Sequence, residues 1–160
     1  MLNELELKYN NVKIHIPLSY ANTFITGETG IGKTFIVNAI LVDVKLNKSP
    51  IYVLDESHFH FYTSIPDRDC LVVVDNADLL FELYPESVDL FNSMKYQTLM
   101  FGRNLHGLYV HESNYGVLRP CMKGNEKCID FIPMIQYVSE EFEDLSQDTI
   151  SQSYQTEVHS

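Results

Sequence analysis

Apolar and polar residues alternate strictly near the N-terminus, in Leu5–Tyr9 and again in Val12–Ile16. Asn10 and Asn11 lie between these segments, and asparagine tolerates the positive φ angles that a two-residue hairpin loop requires. Such a loop sets the register, in which three apolar pairs share one face: Tyr9 with Val12, Leu7 with Ile14 and Leu5 with Ile16. The alternation therefore predicts a β-hairpin with one apolar face.

Short apolar runs follow the hairpin and predict four buried strands, namely Thr23–Thr26, Ile51–Leu54, Cys70–Val74 and Thr98–Phe101. The segments between them have helical character, with one buried helix expected over Phe35–Leu46 and one or two helices within Asn76–Tyr96. Strands that alternate with helices favour a parallel α/β sheet. After Gly107 the pattern changes to short β-like pieces, at Leu108–Val110, Tyr115–Leu118 and Cys128–Ile132, with a turn at Gly124-Asn125.

The chain has 160 residues and is 45% hydrophobic, which suits one globular domain. We expect this domain over residues 1–138, followed by a disordered tail over residues 139–160 that carries six acidic residues and no Lys or Arg. The net charge of −11 disfavours generic nucleic-acid binding, which needs a basic surface. The sequence offers no membrane span or signal peptide, so a cytoplasmic protein with no membrane partner is expected.

Cysteine usage agrees with that compartment. The three cysteines are an odd number without zinc-type spacing. Cys121 and Cys128 could bridge, but reduced thiols are the expectation for a cytosolic protein.

The stretch "FITGETGIGKTF" (residues 24–35) concentrates three of the 7 glycines of the chain between two apolar runs. It fits the phosphate-binding pattern G-x-x-x-x-G-K-[ST], in which backbone N–H groups wrap a phosphate and glycine permits the close approach. The following helix N-terminus adds attraction for anions. A glycine turn without function is the alternative, but the match at every fixed position favours phosphate binding. The predicted nucleotide-binding residues are Gly27, Glu28, Thr29, Gly30, Ile31, Gly32, Lys33 and Thr34.

A second motif predicts a metal ligand. Leu71-Val-Val-Val-Asp75 is an apolar strand that ends in a carboxylate, and such a carboxylate can hold Mg²⁺ beside a phosphate loop. An aspartate that merely caps the next helix is the alternative. We expect Thr34 and Asp75 to bind Mg²⁺, and Lys33 to reach the β- and γ-phosphates.

Gly27–Thr34 and Leu71–Asp75 together resemble the P-loop NTPase superfamily. The intervening strand Ile51–Leu54 is similar to the additional-strand division that includes AAA-type ATPases, here in a minimal form without a lid domain. The resemblance covers about Asn22 to Asn104. It implies an α/β fold, a parallel-sheet P-loop NTPase core with an N-terminal β-hairpin and a short β-rich C-terminal extension. It also implies ATP as ligand and Mg²⁺ as cofactor.

The chain departs from this family where a catalytic glutamate usually follows the strand-end aspartate, because Asn76 stands there. Asparagine can orient a water but cannot take its proton. Asp78, Glu28 or Glu56 could substitute as the base. Arg103 and Asn104 follow the fourth strand, where relatives place a sensor of the γ-phosphate. The expected catalytic residues are therefore Lys33, Asp75, Asn76, Arg103 and Asn104.

Three functions remain open. The leading one is Mg²⁺-dependent ATP binding with slow hydrolysis to ADP and phosphate. A small nucleoside or nucleotide kinase is the second, because Asp55 or Glu56 in "DESHFHFY" could orient an acceptor. His58 and His60 in the same stretch could instead hold a metal if the segment is extended. The third is a nucleotide-gated module with little turnover, which would bind a protein partner or a second copy. The sequence leaves the base specificity and the partner open.

Overall fold

The computed structural model describes residues 2–27, 33–43, 50–67 and 69–143. These residues form eight strands: β1 Glu4–Tyr9, β2 Val12–Pro17, β3 Asn22–Ile25, β4 Ile51–Leu54, β5 Leu71–Val74, β6 Gln97–Phe101, β7 Val110–Lys123 and β8 Glu126–Pro133. They also form five short helical segments: α1 Lys33–Val42, a 3₁₀ helix Glu56–Ser64, α2 Ala77–Leu83, α3 Ser87–Asn92, and α4 over residues 134–143.

All eight strands belong to one curled sheet of order β1-β2-β8-β7-β3-β6-β5-β4. Four neighbouring strands of this order, β3, β6, β5 and β4, run parallel to one another. The two hairpins β1–β2 and β7–β8 are antiparallel, and they join the rest through parallel β2–β8 and β3–β7 pairs. The sheet is therefore mixed in direction.

The expected fold class, an α/β parallel-sheet P-loop NTPase core, is wrong. The described part of the chain is mostly β, and antiparallel hairpins make up half of its strands. The hairpin and the C-terminal strands were expected to be additions to a separate core, but they are integral members of the one sheet. The physical reason is that alternation along the chain reports local elements, whereas the choice of neighbouring strands depends on long-range hydrogen bonding and burial.

The N-terminal hairpin forms in the predicted register, with Tyr9 opposite Val12. Asn10 and Asn11 have φ angles of 49° and 62°, as the loop requires. The apolar face is almost fully buried and packs in one cluster with α1, through Leu5, Leu7, Ile14 and Ile16. This burial explains why the hairpin is part of the sheet, since an isolated hairpin would leave that face in water.

Apolar residues cover both faces of the parallel strands, because successive side chains of a strand point in opposite directions. Val73 packs in the cluster that contains α1 and the hairpin. Its neighbours Val72 and Val74 pack in a second cluster with the 3₁₀ helix, α2 and α3. Strand β5 is thus buried on both sides, and its carboxyl end is held firmly in place.

The C-terminal part differs from the expected short pieces, because residues 110–123 form one continuous strand. The predicted domain boundary at residue 138 falls within α4, where Glu140 accepts a hydrogen bond of 2.6 Å from Arg119. The rest of the predicted tail, residues 144–160, lies outside the described residues. None of the helices in the described ranges has the length and apolar character needed to cross a membrane.

Candidate functional site

The predicted site residues follow the carboxyl ends of the parallel strands. Gly27 comes shortly after β3, Asp55 after β4, Asp75 after β5 and Arg103 after β6. Because these strands are parallel neighbours, their carboxyl ends lie along one edge of the sheet. Crevices at this edge are the usual ligand sites of such strands. We call this region the carboxyl edge.

The structure brings Lys33 and Asp75 together at the carboxyl edge. Lys33 is the first residue of α1, and its Nζ lies 3.8 Å from Asp75 Oδ1. The backbone N–H of Asp75 donates to the carbonyl of Leu54 at 3.0 Å, which extends the β4–β5 ladder and positions the carboxylate. The side chains of Lys33 and Asp75 are 45% and 30% exposed, so both remain open to a ligand from solvent.

Asp75 carries a buried oxygen that lacks a hydrogen bond. Within the described ranges, Oδ1 has no hydrogen-bond partner, and the Lys33 contact at 3.8 Å is too long to be one. A buried carboxylate oxygen without a hydrogen-bond donor lowers the stability of the fold unless a cation or a donor group of a ligand binds to it. Mg²⁺ is commonly held by one or two protein oxygens together with substrate phosphates and waters. Asp75, with the exposed hydroxyl-bearing Thr34 beside Lys33, fits that donor set.

The glycine-rich stretch is described only at its two ends. Gly27 has a φ of 106°, a conformation that favours glycine, and it is exposed at the end of β3. Lys33 and Thr34 begin α1. The other predicted nucleotide-binding residues, Glu28 to Gly32, lie outside the described residues, so the phosphate loop stays a prediction. The positive φ of Gly27 is what a sharp turn from strand to loop needs.

Asn76 has a structural role that the sequence analysis did not assign to it. It is the N-cap of α2, and its Oδ1 accepts a hydrogen bond of 3.3 Å from the backbone N–H of Leu79. Asparagine is among the preferred N-cap residues because its short side chain satisfies a free N–H of the first turn. This capping pattern was readable from the sequence, since an asparagine precedes an apolar helical segment.

Asp78 connects α2 to the loop that follows β6. Its carboxylate accepts hydrogen bonds from the backbone N–H groups of Arg103 at 2.7 Å and Asn104 at 3.0 Å, and it contacts His106 Nε2 at 2.9 Å. Burial acts to raise the pKa of Asp78, but the backbone hydrogen bonds and His106 outweigh it and hold the pKa below its ordinary value. Asp78 is therefore ionised and fully engaged, which makes it a poor proton acceptor.

Glycine is needed next to this loop for packing. A Cβ built on Gly102 would lie 2.9 Å from Cζ of the buried Phe24 ring and 3.3 Å from Asp78 Oδ2. The backbone N–H of Gly102 donates to the carbonyl of Ile25 at 3.1 Å. The expected sensor residues Arg103 and Asn104 thus follow a tightly packed strand end, and Asp78 fixes their backbone.

The stretch after β4 is a 3₁₀ helix, so the extended arrangement considered for its two histidines is wrong. Asp55 instead pairs with His58, Oδ1 to Nδ1, at the start of this helix. His60 contacts the ring of Phe61, with the centroids 4.1 Å apart. Within the described ranges, no group of three or more His, Cys, Asp or Glu side chains could hold a metal ion. The side chains of Asp55 and His58 are 43% and 55% exposed, so this pair lies at the surface of the 3₁₀ helix.

Comparison with protein-family models and with curated proteins gives no match for this chain. The expected membership of the P-loop NTPase superfamily, in an AAA-like form, is wrong on two counts. The sheet is mixed and curled and carries few helices, and no family model supports the motif-based assignment. Two short motifs do not specify how eight strands are ordered in a sheet.

Proposed function

We propose that this protein binds a Mg²⁺–nucleoside triphosphate, in the first place ATP, at the carboxyl edge and hydrolyses it slowly to ADP and phosphate. The observation that carries the proposal is the approach of Lys33 Nζ to Asp75 Oδ1 at 3.8 Å. The two residues are far apart in sequence, and each belongs to a motif that favours phosphate or Mg²⁺ binding on its own. The proposal concerns this site and not membership of a family.

The chemistry assigned to Lys33 is electrostatic. Its ammonium group would donate to phosphate oxygens and stabilise the negative charge that spreads over them during phosphoryl transfer. Asp75 and Thr34 would hold Mg²⁺, which when bound neutralises charge on the β- and γ-phosphates. Without a ligand, Lys33 offsets part of the charge of Asp75 from 3.8 Å, and the unpartnered Oδ1 would be left for Mg²⁺.

Slow turnover follows from the residues near the expected position of the attacking water. Asn76 caps α2 and has no carboxylate, and Asp78 is engaged by three donors. General-base assistance typically contributes about 10²–10⁴-fold to a rate. Since neither residue offers a free carboxylate, Asn76 would orient the water at most, and we propose a low rate constant for hydrolysis.

Calorimetric titration with Mg²⁺–ATP tests the proposal. Lys33→Ala should weaken binding by about 10- to 100-fold, the usual value of a hydrogen bond to a charged group. Lys95→Ala is the matched control, because Lys95 is also an exposed lysine in an ion pair, with Asp67 at 3.7 Å, but precedes β6 and so lies at the opposite, amino end of the parallel strands. Equal affinity in wild type and Lys33→Ala, or absence of binding in the wild type, would overturn the proposal.

Transfer of the phosphoryl group to a small acceptor is a second candidate function. The pairing of Asp55 with His58 favours it, because a carboxylate that orients an imidazole can help to remove a proton from an acceptor hydroxyl. The pair follows β4, directly beside Asp75 on the neighbouring strand. ADP formation that rises on addition of nucleosides, and that falls in Asp55→Asn, would favour transfer over hydrolysis.

A further inference from the structure

The β7–β8 hairpin places two cysteines opposite each other. Cys121 and Cys128 are Cα partners in the antiparallel register, which the turn at Gly124-Asn125 fixes. Directly opposed residues of antiparallel strands share a face and have Cα atoms about 4.5–5.5 Å apart. Disulfides usually join Cα atoms about 4.4–6.8 Å apart. The two thiols are therefore within bridging range without movement of the strands.

The surroundings make the two thiols unequal. Cys128 is only 4% exposed, and its Sγ contacts the backbone carbonyl of Glu126 at 3.6 Å. Cys121 is half-buried, and its Sγ donates to Asp130 Oδ2 at 3.4 Å. An oxidant from solvent would therefore meet Cys121 first, and Cys128 lies opposite it as the resolving thiol.

We propose that Cys121 and Cys128 form a reversible cross-strand disulfide by exchange with a small-molecule disulfide such as oxidised glutathione. The Cys121 thiolate attacks one sulfur of the small disulfide and releases one small thiolate. The Cys128 thiolate then attacks the Cys121 sulfur of the mixed disulfide and releases the second small thiolate. Two protein thiols are oxidised, one small-molecule disulfide is reduced, and the two protons pass through solvent to the released thiolates.

Asp130 controls the rate of this exchange. Burial raises the pKa of the Cys121 thiol, and the hydrogen bond and negative charge of Asp130 raise it further, to about 11. The thiolate is the reactive form, so the pair reacts slowly at neutral pH. Asp130 is itself held by Lys123, with Nζ 3.2 Å from Oδ2, which keeps the carboxylate beside the sulfur.

The position of the pair gives the disulfide a structural consequence. Strand β8 is hydrogen-bonded to β2, and β7 to β3, so this hairpin connects the N-terminal hairpin with the parallel strands. A covalent link between Cys121 and Cys128 would close a short loop around the β7–β8 turn, at the end of β8 that pairs with β2. We expect the oxidised protein to resist thermal unfolding better than the reduced one.

The test uses the full chain in glutathione buffers of increasing oxidised fraction at pH 8, quenched with acid and alkylated. Peptide mass spectrometry should find Cys121 joined to Cys128, with loss of two hydrogen masses, while Cys70 remains alkylated as the internal control. Asp130→Asn should form the same link faster. A pKa lower by one unit gives about tenfold more thiolate but a less nucleophilic one, so the net gain is roughly threefold.

Cys128→Ser should stop at the mixed disulfide on Cys121, which identifies the order of the two steps. The proposal is overturned if the wild type forms no Cys121–Cys128 peptide even in fully oxidised glutathione. It is also overturned if the cysteines become linked between two chains, or if Asp130→Asn does not accelerate the exchange.

Discussion

Asp78 should be a strong determinant of stability, and its replacement gives the sharpest test of the site geometry. The carboxylate joins α2 to the loop after β6 through Arg103, Asn104 and His106. Asp78→Ala removes all three contacts. Asp78→Asn keeps a neutral acceptor of nearly the same shape, so the pair of variants separates the loss of the charge from the loss of the side chain.

The size of the effect follows from these contacts. Hydrogen bonds to a charged group contribute about 1.5–3 kcal/mol each, but Asp78 is 28% exposed and water can replace part of the loss. We therefore expect Asp78→Ala to lower the free energy of unfolding by about 2 kcal/mol in total, and Asp78→Asn by about half as much. For a chain of this size, about 2 kcal/mol corresponds to a melting temperature lower by roughly 4–8 °C.

The pH dependence provides an independent check. The pKa of Asp78 is lower in the folded protein than its ordinary value of 3.8. Its contribution to stability is thus fully present above that ordinary value and is lost as the pH falls through the folded value. Urea unfolding should therefore show a difference in free energy between wild type and Asp78→Asn at pH values above 3.8, and the two curves should converge in stronger acid.

The same variants decide whether Asp78 is instead a catalytic base. If Asp78 is a catalytic base without a structural role, Asp78→Asn should have the stability of the wild type and a greatly reduced rate of ATP hydrolysis. An unchanged melting temperature for both variants would refute the structural role derived from the three hydrogen bonds.

Three further predictions concern the same edge of the sheet. Asp75→Asn should weaken ATP binding in the presence of Mg²⁺ while leaving metal-free binding nearly unchanged, as calorimetry with and without EDTA would measure; equal losses in both buffers would contradict the metal role. Asn76→Ala should lower the free energy of unfolding by about 1 kcal/mol, because it removes the cap on the backbone N–H of Leu79. Asn76→Glu should raise the rate of single-turnover hydrolysis, because it places a carboxylate that can act as a base next to Asp75. Gly102→Ala should lower the free energy of unfolding by about 1–3 kcal/mol, because the added methyl group lies against the Phe24 ring. A urea unfolding curve that matches the wild type would show that the ring can move aside.

The sequence alone determined several of the local elements. The alternation in the N-terminal hairpin and its Asn10-Asn11 loop set the observed register, because a two-residue loop leaves only one pairing that buries all apolar residues on one face. The predicted strand Cys70–Val74 formed as β5, Leu71–Val74, because a short run of β-branched residues suits a buried strand. Ile51–Leu54 also formed a strand, but at the edge of the sheet and with Leu54 as its one buried residue. The motifs also singled out Lys33 and Asp75, which the fold brings together, although their role remains a proposal.

Only the tertiary structure decided how these elements join. Nothing local indicates that β2 pairs with β8 or that β7 is one long strand beside β3, because these contacts connect residues distant in sequence. Because the two antiparallel hairpins pair with the parallel strands, the sheet is mixed, whereas a parallel core was expected. The same is true of Asp78, which reads as a helix-start acid until the chain after β6 folds onto it. Long-range hydrogen bonds and burial, which no sequence window contains, fixed both outcomes.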